Sequence, residues 1–391
     1  MALVDTADHP STISEPTVAT ASGTIRPFTA ADAPRVAEIL LWAFQKSTRV
    51  PPQGMVDYIK RLYLEIPWAD PDIYARVMEL PDGRISGFAG LTPLPLRMGD
   101  KRVRVGVTSS LSVDDRIGDH MTGPRLVRHM RNGAQDGVLS DRSNQAATAI
   151  SRQLKSDILH SYSMDFIRLL RPAGRGVEWL SGHFRPARLL SGVATPIDRK
   201  FAARSLVSED AHWAAPGKTR GSDSFKDVPV TLDQLLDLIP HFLERFTLRP
   251  DFERHHWQFI LEDGARKASF GEFFANAVVS PSGETIGLYL YHGRKGQTAE
   301  LLQAFSNPGR EGVVLDKLIG HAMELGAVAI HGRSTPTFHR QLMDRHAFFY
   351  PNMWTIVYAR DPEVVSHFNA GTAFFTGIAG ENWIRLNGDS F

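Results

Sequence analysis

Two short loops are the places where this sequence could hold an anionic group. Residues 114–123 read DDRIGDHMTG and residues 306–312 read SNPGREG; each follows an apolar, strand-like run and precedes a run with helical spacing. A strand that turns into a helix N-terminus presents free backbone N–H groups and the positive end of the helix dipole at one spot. Glycine there lets a phosphate come close to the backbone, and Arg116, His120 and Arg310 could add positive charge. An isolated loop of this kind is equally an ordinary turn, so its meaning depends on the surrounding elements. For acid–base work, Glu300 stands on the run before the second loop and His292 ends the run preceding that one. A carboxylate or an imidazole beside such a loop could take a proton from a bound substrate. Glu300 could equally be a solvated carboxylate at a strand start, and His339 and Tyr162 are weaker candidates. His255-His256 lacks metal-ligand spacing and Asp114-Asp115 reads as a turn, so no metal site is expected.

The elements that must position these residues recur in the same order in both halves. The first half opens with a short strand at 25–28. A cap from Thr29 to Asp32 follows, then a helix with Val36, Ile39, Leu40 and Phe44 at helical spacing. The second opens at 229–232 and continues with Leu235, Leu236, Ile239, Phe242, Leu243 and Phe246. Each half then has a hairpin, 74–80 with 85–91 about Pro81-Asp82-Gly83, and 275–279 with 285–292 about Pro281-Ser282-Gly283. Next come a strand (103–113 or 298–305), the loop (114–122 or 306–311) and a helix (123–135 or 312–325). Both helices begin Gly-x-x-Leu, at Gly123 with Leu126 and at Gly312 with Leu315. A short buried strand (137–140 or 327–331) and a further helix (143–154 or 336–344) close each unit. This order predicts an α/β protein with mixed sheets in two similar lobes, at 24–204 and 228–391. A linker at 205–227 joins them and a loose Ser/Thr/Pro-rich tail at 1–23 precedes them.

The bulk properties agree with two lobes, because 391 residues exceed what a single core comfortably supports. Lys+Arg 44 against Asp+Glu 43 leaves a net charge of +1, so no global field draws the chain to nucleic acid or an anionic membrane, and any anion site must be local. No apolar run approaches the ~18–20 residues of a membrane span. The N-terminus lacks the order of a secretory signal, so a cytoplasmic protein is expected. The absence of cysteine excludes disulfides, thiolate metal sites and a cysteine nucleophile. A local excess of basic residues, Arg168, Arg171, Arg175, Arg185, Arg188, Arg199, Lys200 and Arg204, could meet a phosphate or an acidic acceptor, or form a solvated surface between lobes.

On this element order and these loops the sequence resembles the GCN5-related N-acetyltransferase (GNAT) superfamily, whose strand–loop–helix unit holds the CoA pyrophosphate. The family's loop pattern, Arg/Gln-x-x-Gly-x-Gly/Ala followed by Leu, aligns on Gly123 and Leu126. It puts Gly118 at the basic or amide position and Met121 at the middle glycine. In the second half Gly312 and Leu315 match, with Gly309 and Arg310 in a shorter loop. The family's later Asn-x-x-Ala-x-x-Leu-Tyr helix aligns with Asn144, Ala147, Ile150 and Ser151, although Asn144 also reads as a helix N-terminal residue.

The resemblance implies two tandem GNAT-like acyl-CoA N-acyltransferase lobes using acetyl-CoA or another acyl-CoA as co-substrate. The cofactor would lie against Val113, Arg116, Gly118, Asp119, His120, Thr122 and Gly123 in the first lobe, and Gly309, Arg310 and Gly312 in the second, with Asn144 on the pantetheine arm. Glu300 and His292 are the candidate bases, and Ser151 stands where the family has a Tyr that protonates the departing thiolate. The implied reaction is direct attack by the amine of a small molecule or peptide in a ternary complex. Two other readings stay open. One is a FemABX-like transferase using aminoacyl-tRNA, against which the near-neutral charge speaks. The other is a catalytically silent GNAT-fold binding or scaffold protein, suggested by Gly118, Met121 and Ser151. No nucleic-acid or membrane partner is expected, and a homodimer stays open.

Overall fold

The computed structural model describes residues 18–20, 23–184, 186, 190–205, 221–389 and 391. Most of the expected tail and linker therefore lies outside the described residues, as do Arg185 and Arg188 and the side chain of Arg204. Two corrections fall at their edges. Val18–Thr20 is a strand rather than loose chain, paired antiparallel with Gly23 to Ile25, and a strand begins at Lys226, inside the expected linker.

The first half of the chain supplies strands β1 (Val18–Thr20), β2 (Gly23–Pro27), β3 (Arg76–Glu79), β4 (Ile85–Met98), β5 (Lys101–Val113), β6 (Gly137–Ser143), β7 (Asp157–Ile158) and β8 (Met164–Leu169). The second supplies β9 (Lys226–Pro229), β10 (Leu248–Pro250), β11 (Glu272–Val279), β12 (Thr285–Gly293), β13 (Thr298–Ser306), β14 (Ala329–Arg333), β15 (Phe348–Pro351) and β16 (Trp354–Ala359). The helices are α1 (Ala33–Gln45), α2 (Gln53–Leu64), α3 (Thr122–Arg131), α4 (Gln145–Gln153), α5 (Pro172–His183) and α6 (Ser191–Ser205), then α7 (Leu232–Leu243), α8 (Arg254–Ala265), α9 (Glu311–Leu325), α10 (Pro336–Met343) and α11 (Pro362–Asn369). Among the described residues, no helix is long and apolar enough to cross a membrane.

The same local chemistry starts both halves. Thr29 and Asp32 form a capping box before α1, and Thr231 and Gln234 form one at α7, where Gln234 N–H donates to Thr231 Oγ1 at 3.3 Å. Both hairpin turns place a glycine in the left-handed region, Gly83 at φ 83° and Gly283 at φ 89°. The apolar faces of α1 and α7 then bury Val36, Ile39 and Leu40, and Leu236, Ile239 and Phe242. These residues join one cluster that also takes Ile59 and Leu62 from α2 and Trp257 and Ile260 from α8. The largest core is thus shared by the two halves.

Two sheets result, ordered β1-β2-β3-β4-β5-β6-β16-β7 and β15-β8-β14-β13-β12-β11-β9, with β10 added to β4. Sheet membership does not follow the sequence division expected at 204/228. Strand β8, from the first half, lies between β14 and β15, and β16, from the second, lies between β6 and β7. Each sheet is therefore completed by a strand of the other half.

Each sheet also parts along a parallel pair. Between β5 and β6 the ladder runs from Val105↔Gly137 to Val107↔Leu139 and ends, while β5 continues to Val113 and β6 to Ser143. Between β13 and β14 it runs from Thr298↔Ala329 to Glu300↔His331. The second opening is packed on one side. Phe338 and Leu342 of α10 and the turn at Thr376-Gly377 pack there, leaving a space of about 20 Å³. Gly377, at φ 60°, lies so close that a Cβ would meet Gln303 Oε1 at 1.9 Å. The first opening stays free.

Candidate active site between the two sheets

The free opening leads into a cavity of about 520 Å³ walled by both sheets. One wall is Ser109 to Leu111 of β5, Ser140 and Arg142 to Asn144 at the end of β6, and Ala147 and Ser151 of α4. The other is Glu300 to Leu302 of β13 and His331 to Arg333 of β14, with Lys267, His292 and Glu381 between. The strand β5 is bulged here. Its pairing with β4 shifts register between Phe88 and Gly90, and Ser110 takes a left-handed φ of 56°. A non-glycine residue in that region costs of order 1–3 kcal/mol and re-aims the backbone, so the bulge turns the strand's edge toward the cavity.

The central polar group is a row across three neighbouring strands. His331 Nδ1 lies 2.5 Å from Glu300 Oε2, and His331 Nε2 lies 3.6 Å from Asp165 Oδ2. Asp165 comes from the exchanged strand β8 and is held by Asn352 Nδ2 at 2.7 Å and Arg333 Nε at 3.1 Å. Burial would push the His331 imidazole down; the carboxylates on its two sides more than offset this and raise it to about 9. His331 therefore carries its charge through neutral pH.

A second group is a buried carboxyl pair. Glu381 Oε1 accepts from Ser140 Oγ at 2.8 Å and Asp141 N at 3.0 Å, and Glu381 N donates to Asp141 Oδ1 at 2.8 Å. Burial, and then the Asp141 charge, push Glu381 up to about 8, and burial pushes Asp141 up as well. A carboxyl raised from 4.5 in the unfolded chain to about 8 in the fold contributes stability that is complete below the lower value and lost as pH rises through the upper one. Glu381→Gln, which keeps the accepting oxygen and cannot ionise, should flatten this loss. Thermal denaturation at about pH 6 and about pH 9 should show the wild type falling several degrees more than the variant.

Of the residues singled out in the sequence, Glu300, His292, Ser151 and Asn144 line this cavity. His292 is buried against Phe270 and Phe273, and burial pushes it down to about 4, so it is neutral. Asn144 caps α4, accepting from Ala147 N at 2.9 Å. The loop at 114–123 does not line the cavity; it follows the C-terminal end of β5, where Val113 packs against Gly118 and Gly123. Its charges are largely engaged. Arg116 pairs with the buried Asp114 at 2.7 Å and stacks on Trp42, and Asp119 accepts from Met121 N at 2.9 Å and Thr122 Oγ1 at 3.2 Å. His120 is exposed.

The loop at 306–312 does not line the cavity either. Arg310 faces the Phe225 ring, and Glu311 sits on the first turn of α9 paired with Arg245 at 3.1 Å. Gly309 takes φ 78°, and the Gly312 carbonyl accepts from the buried Arg345 at 2.8 Å. Two weaker candidates are structural: Tyr162 donates to the Ala373 carbonyl in the core, and His339 bonds Ser334. His255 and His256 do approach Glu253, with ligand atoms within 4.8 Å of one another, but His256 Nδ1 accepts from the Glu253 amide at 3.1 Å, as a helix cap does. Asp115 accepts from Trp42 Nε1 at 2.6 Å, as a turn residue would.

Four cavity residues had no sequence signal assigned to them: Asp165, Lys267, His331 and Glu381. Alternation along the strand at 327–331 could have flagged His331 as the opposite number of Glu300, but only with the strand register in hand.

No protein-family model and no curated protein sequence matches this chain. Solved structures do. A protein of Enterococcus faecalis V583 described as a probable N-acyltransferase shares 9% identity over 86% of this chain and 72% of its own, with a TM-score of 0.54. A GCN5-related N-acetyltransferase from Anabaena variabilis ATCC 29413 shares 10% over 86% and 72%, also at 0.54. Saccharomyces cerevisiae N-myristoyltransferase with bound myristoyl-CoA and inhibitors shares 11% over 90% and 84%, at 0.50. With its mixed sheets, its parted parallel strands and its two-lobed arrangement, the chain has the α/β fold of GNAT-type N-acyltransferases.

Proposed function

We propose that this protein transfers an acyl group from an acyl-CoA thioester to an amine, and that the two substrates meet in the cavity between the sheets. The observation that carries this is the cavity of about 520 Å³ reached where β5 and β6 part; the parted ends of β13 and β14 border the same cavity on one side and are packed with Phe338, Leu342 and Thr376-Gly377 on the other. Parted strands expose backbone N–H and C=O groups, and an extended amide-bearing chain such as pantetheine satisfies them as an added strand would. On this reading the first sheet takes the thioester, and the second, a diverged copy of the same unit, supplies the opposite wall.

The chain's own groups then divide the work. Glu300 takes a proton from the acceptor ammonium, and His331, fixed between Glu300 and Asp165, orients that carboxylate. The freed amine attacks the thioester carbonyl, whose oxygen gains charge near the bulge at Ser110, where backbone N–H groups have left the ladder. Collapse forms the amide, the attacking nitrogen gives up its second proton, and the expelled thiolate takes up one proton to leave as the thiol. Ser151 is a weak acid for this step, and Tyr358, on the exchanged strand β16, lines the same wall. Around the loop at 114–123, Asp119 must yield its amides if a pyrophosphate is to use them.

Calorimetric titration tests the reading. Acetyl-CoA or a longer acyl-CoA should bind at one site per chain with a Kd on the order of 1–100 μM, and thiol release should depend on added amine. Binding without any thiol release across an amine library would favour the scaffold reading, and retention of tRNA on purification the aminoacyl-tRNA reading.

A further inference from the structure

The cavity wall holds a buried lysine whose amine has no carboxylate within ion-pair distance among the described residues. Lys267, in the turn after α8, is 6% exposed, and its Nζ donates to the Asn382 carbonyl at 2.8 Å. Among the described residues, no carboxylate lies within ion-pair distance of it, and the Phe270 ring lies 5.1 Å away. Arg142, whose Nη1 donates to Asn382 Oδ1 at 2.8 Å, adds a second positive charge on the same stretch of wall. Beside them His292, also buried, keeps a ring Nε2 with no hydrogen-bond partner. The charged groups that bear on Lys267 are Arg142, Asp389, Glu300 and Asp141; burial and Arg142 outweigh the acids and push the amine down to about 7. A carboxylate entering the cavity would meet the Lys267 amine and the Arg142 guanidinium together and would draw the amine to its charged form.

We propose that Lys267 and Arg142 form a carboxylate-binding subsite, so that one of the two substrates carries a free carboxylate into the cavity. Glu300 and Asp165, each beside the charged His331, line the same cavity. This rests on the acyl-transfer reading for its meaning but not for its test. The carboxylate could belong to the acceptor, as in an amino acid or a peptide's acidic end, or to the donor, as in a dicarboxylic acyl-CoA.

Matched pairs separate the sources: phenylalanine against phenethylamine as acceptors, and succinyl-CoA against acetyl-CoA as donors. In titrations at about pH 8, the carboxylate-bearing member of one pair should bind at least about tenfold more tightly. Repeats in buffers of different ionisation enthalpy should show proton uptake as Lys267 is drawn to its charged form. Lys267→Gln should abolish both the preference and the uptake. Lys267→Arg, which carries a permanent charge, should keep the preference and lose the uptake. Equal binding within both pairs, no binding of either carboxylate probe at 10 mM, or a preference that survives Lys267→Gln would overturn the subsite. A phenylalanine preference in a protein that binds no acyl-CoA would leave the subsite standing and remove the acyl-transfer reading.

Discussion

Glu300→Gln should lower kcat/KM for amine acylation by about 10²–10³-fold while leaving acyl-CoA affinity within about twofold of wild type. The amide keeps the size of the carboxylate and loses the ability to take a proton, so a loss confined to turnover points to the base. A thiol-release assay at saturating acyl-CoA reads the first quantity and calorimetry the second. A purely structural role is distinguished by His331. With one flanking carboxylate neutralised, its imidazole should titrate below the wild-type value of about 9, which NMR of the ring resolves. The sign for stability follows from the same shift. A histidine raised from 6.5 to about 9 contributes stability that is complete below the lower value and lost as pH rises through the upper one. The variant should therefore lose less stability than the wild type across that window.

Ala147→Trp should weaken acyl-CoA binding by roughly 10–100-fold, equivalent to about 1.4–3 kcal/mol, with little change in melting temperature. Ala147 is half-buried on α4 and lines the cavity on the side where β5 and β6 part. Its replacement by a large ring fills space that the proposal gives to the pantetheine arm, while the helix and its Asn144 cap are untouched. If the donor entered through the second opening instead, this substitution would leave its affinity unchanged.

Much of the frame was legible because it is set by local chemistry. The Thr-led caps of α1 and α7, the Asp-Gly and Ser-Gly hairpins and the two Gly-x-x-Leu helix starts are short-range signals, and the helices they start stand within a few residues of their expected bounds, whereas β4 runs on to Met98 and β9 ends at Pro229, where the expected strand began. The exchange of β8 and β16 was not legible. Strands of this length pair equally well with either sheet's edge by composition, and only the assembled core decides which edge is near. The candidate site divides in the same way. Glu300 and His292 could be singled out by residue type beside a predicted loop, but Asp165 reaches His331 only through the exchanged strand, and Glu381 meets Asp141 across the whole length of the chain. Positive charge in the loops was over-read, because Arg116 looks free in one dimension and is neutralised by Asp114 in three.

Entry of the pantetheine arm between β5 and β6 can be seen in crystals of the protein soaked with CoA. The arm should lie there, with its thiol end in the cavity facing Ser110 and Ala147. CoA seated instead between β13 and β14, displacing Phe338 and the turn at Gly377, would contradict it.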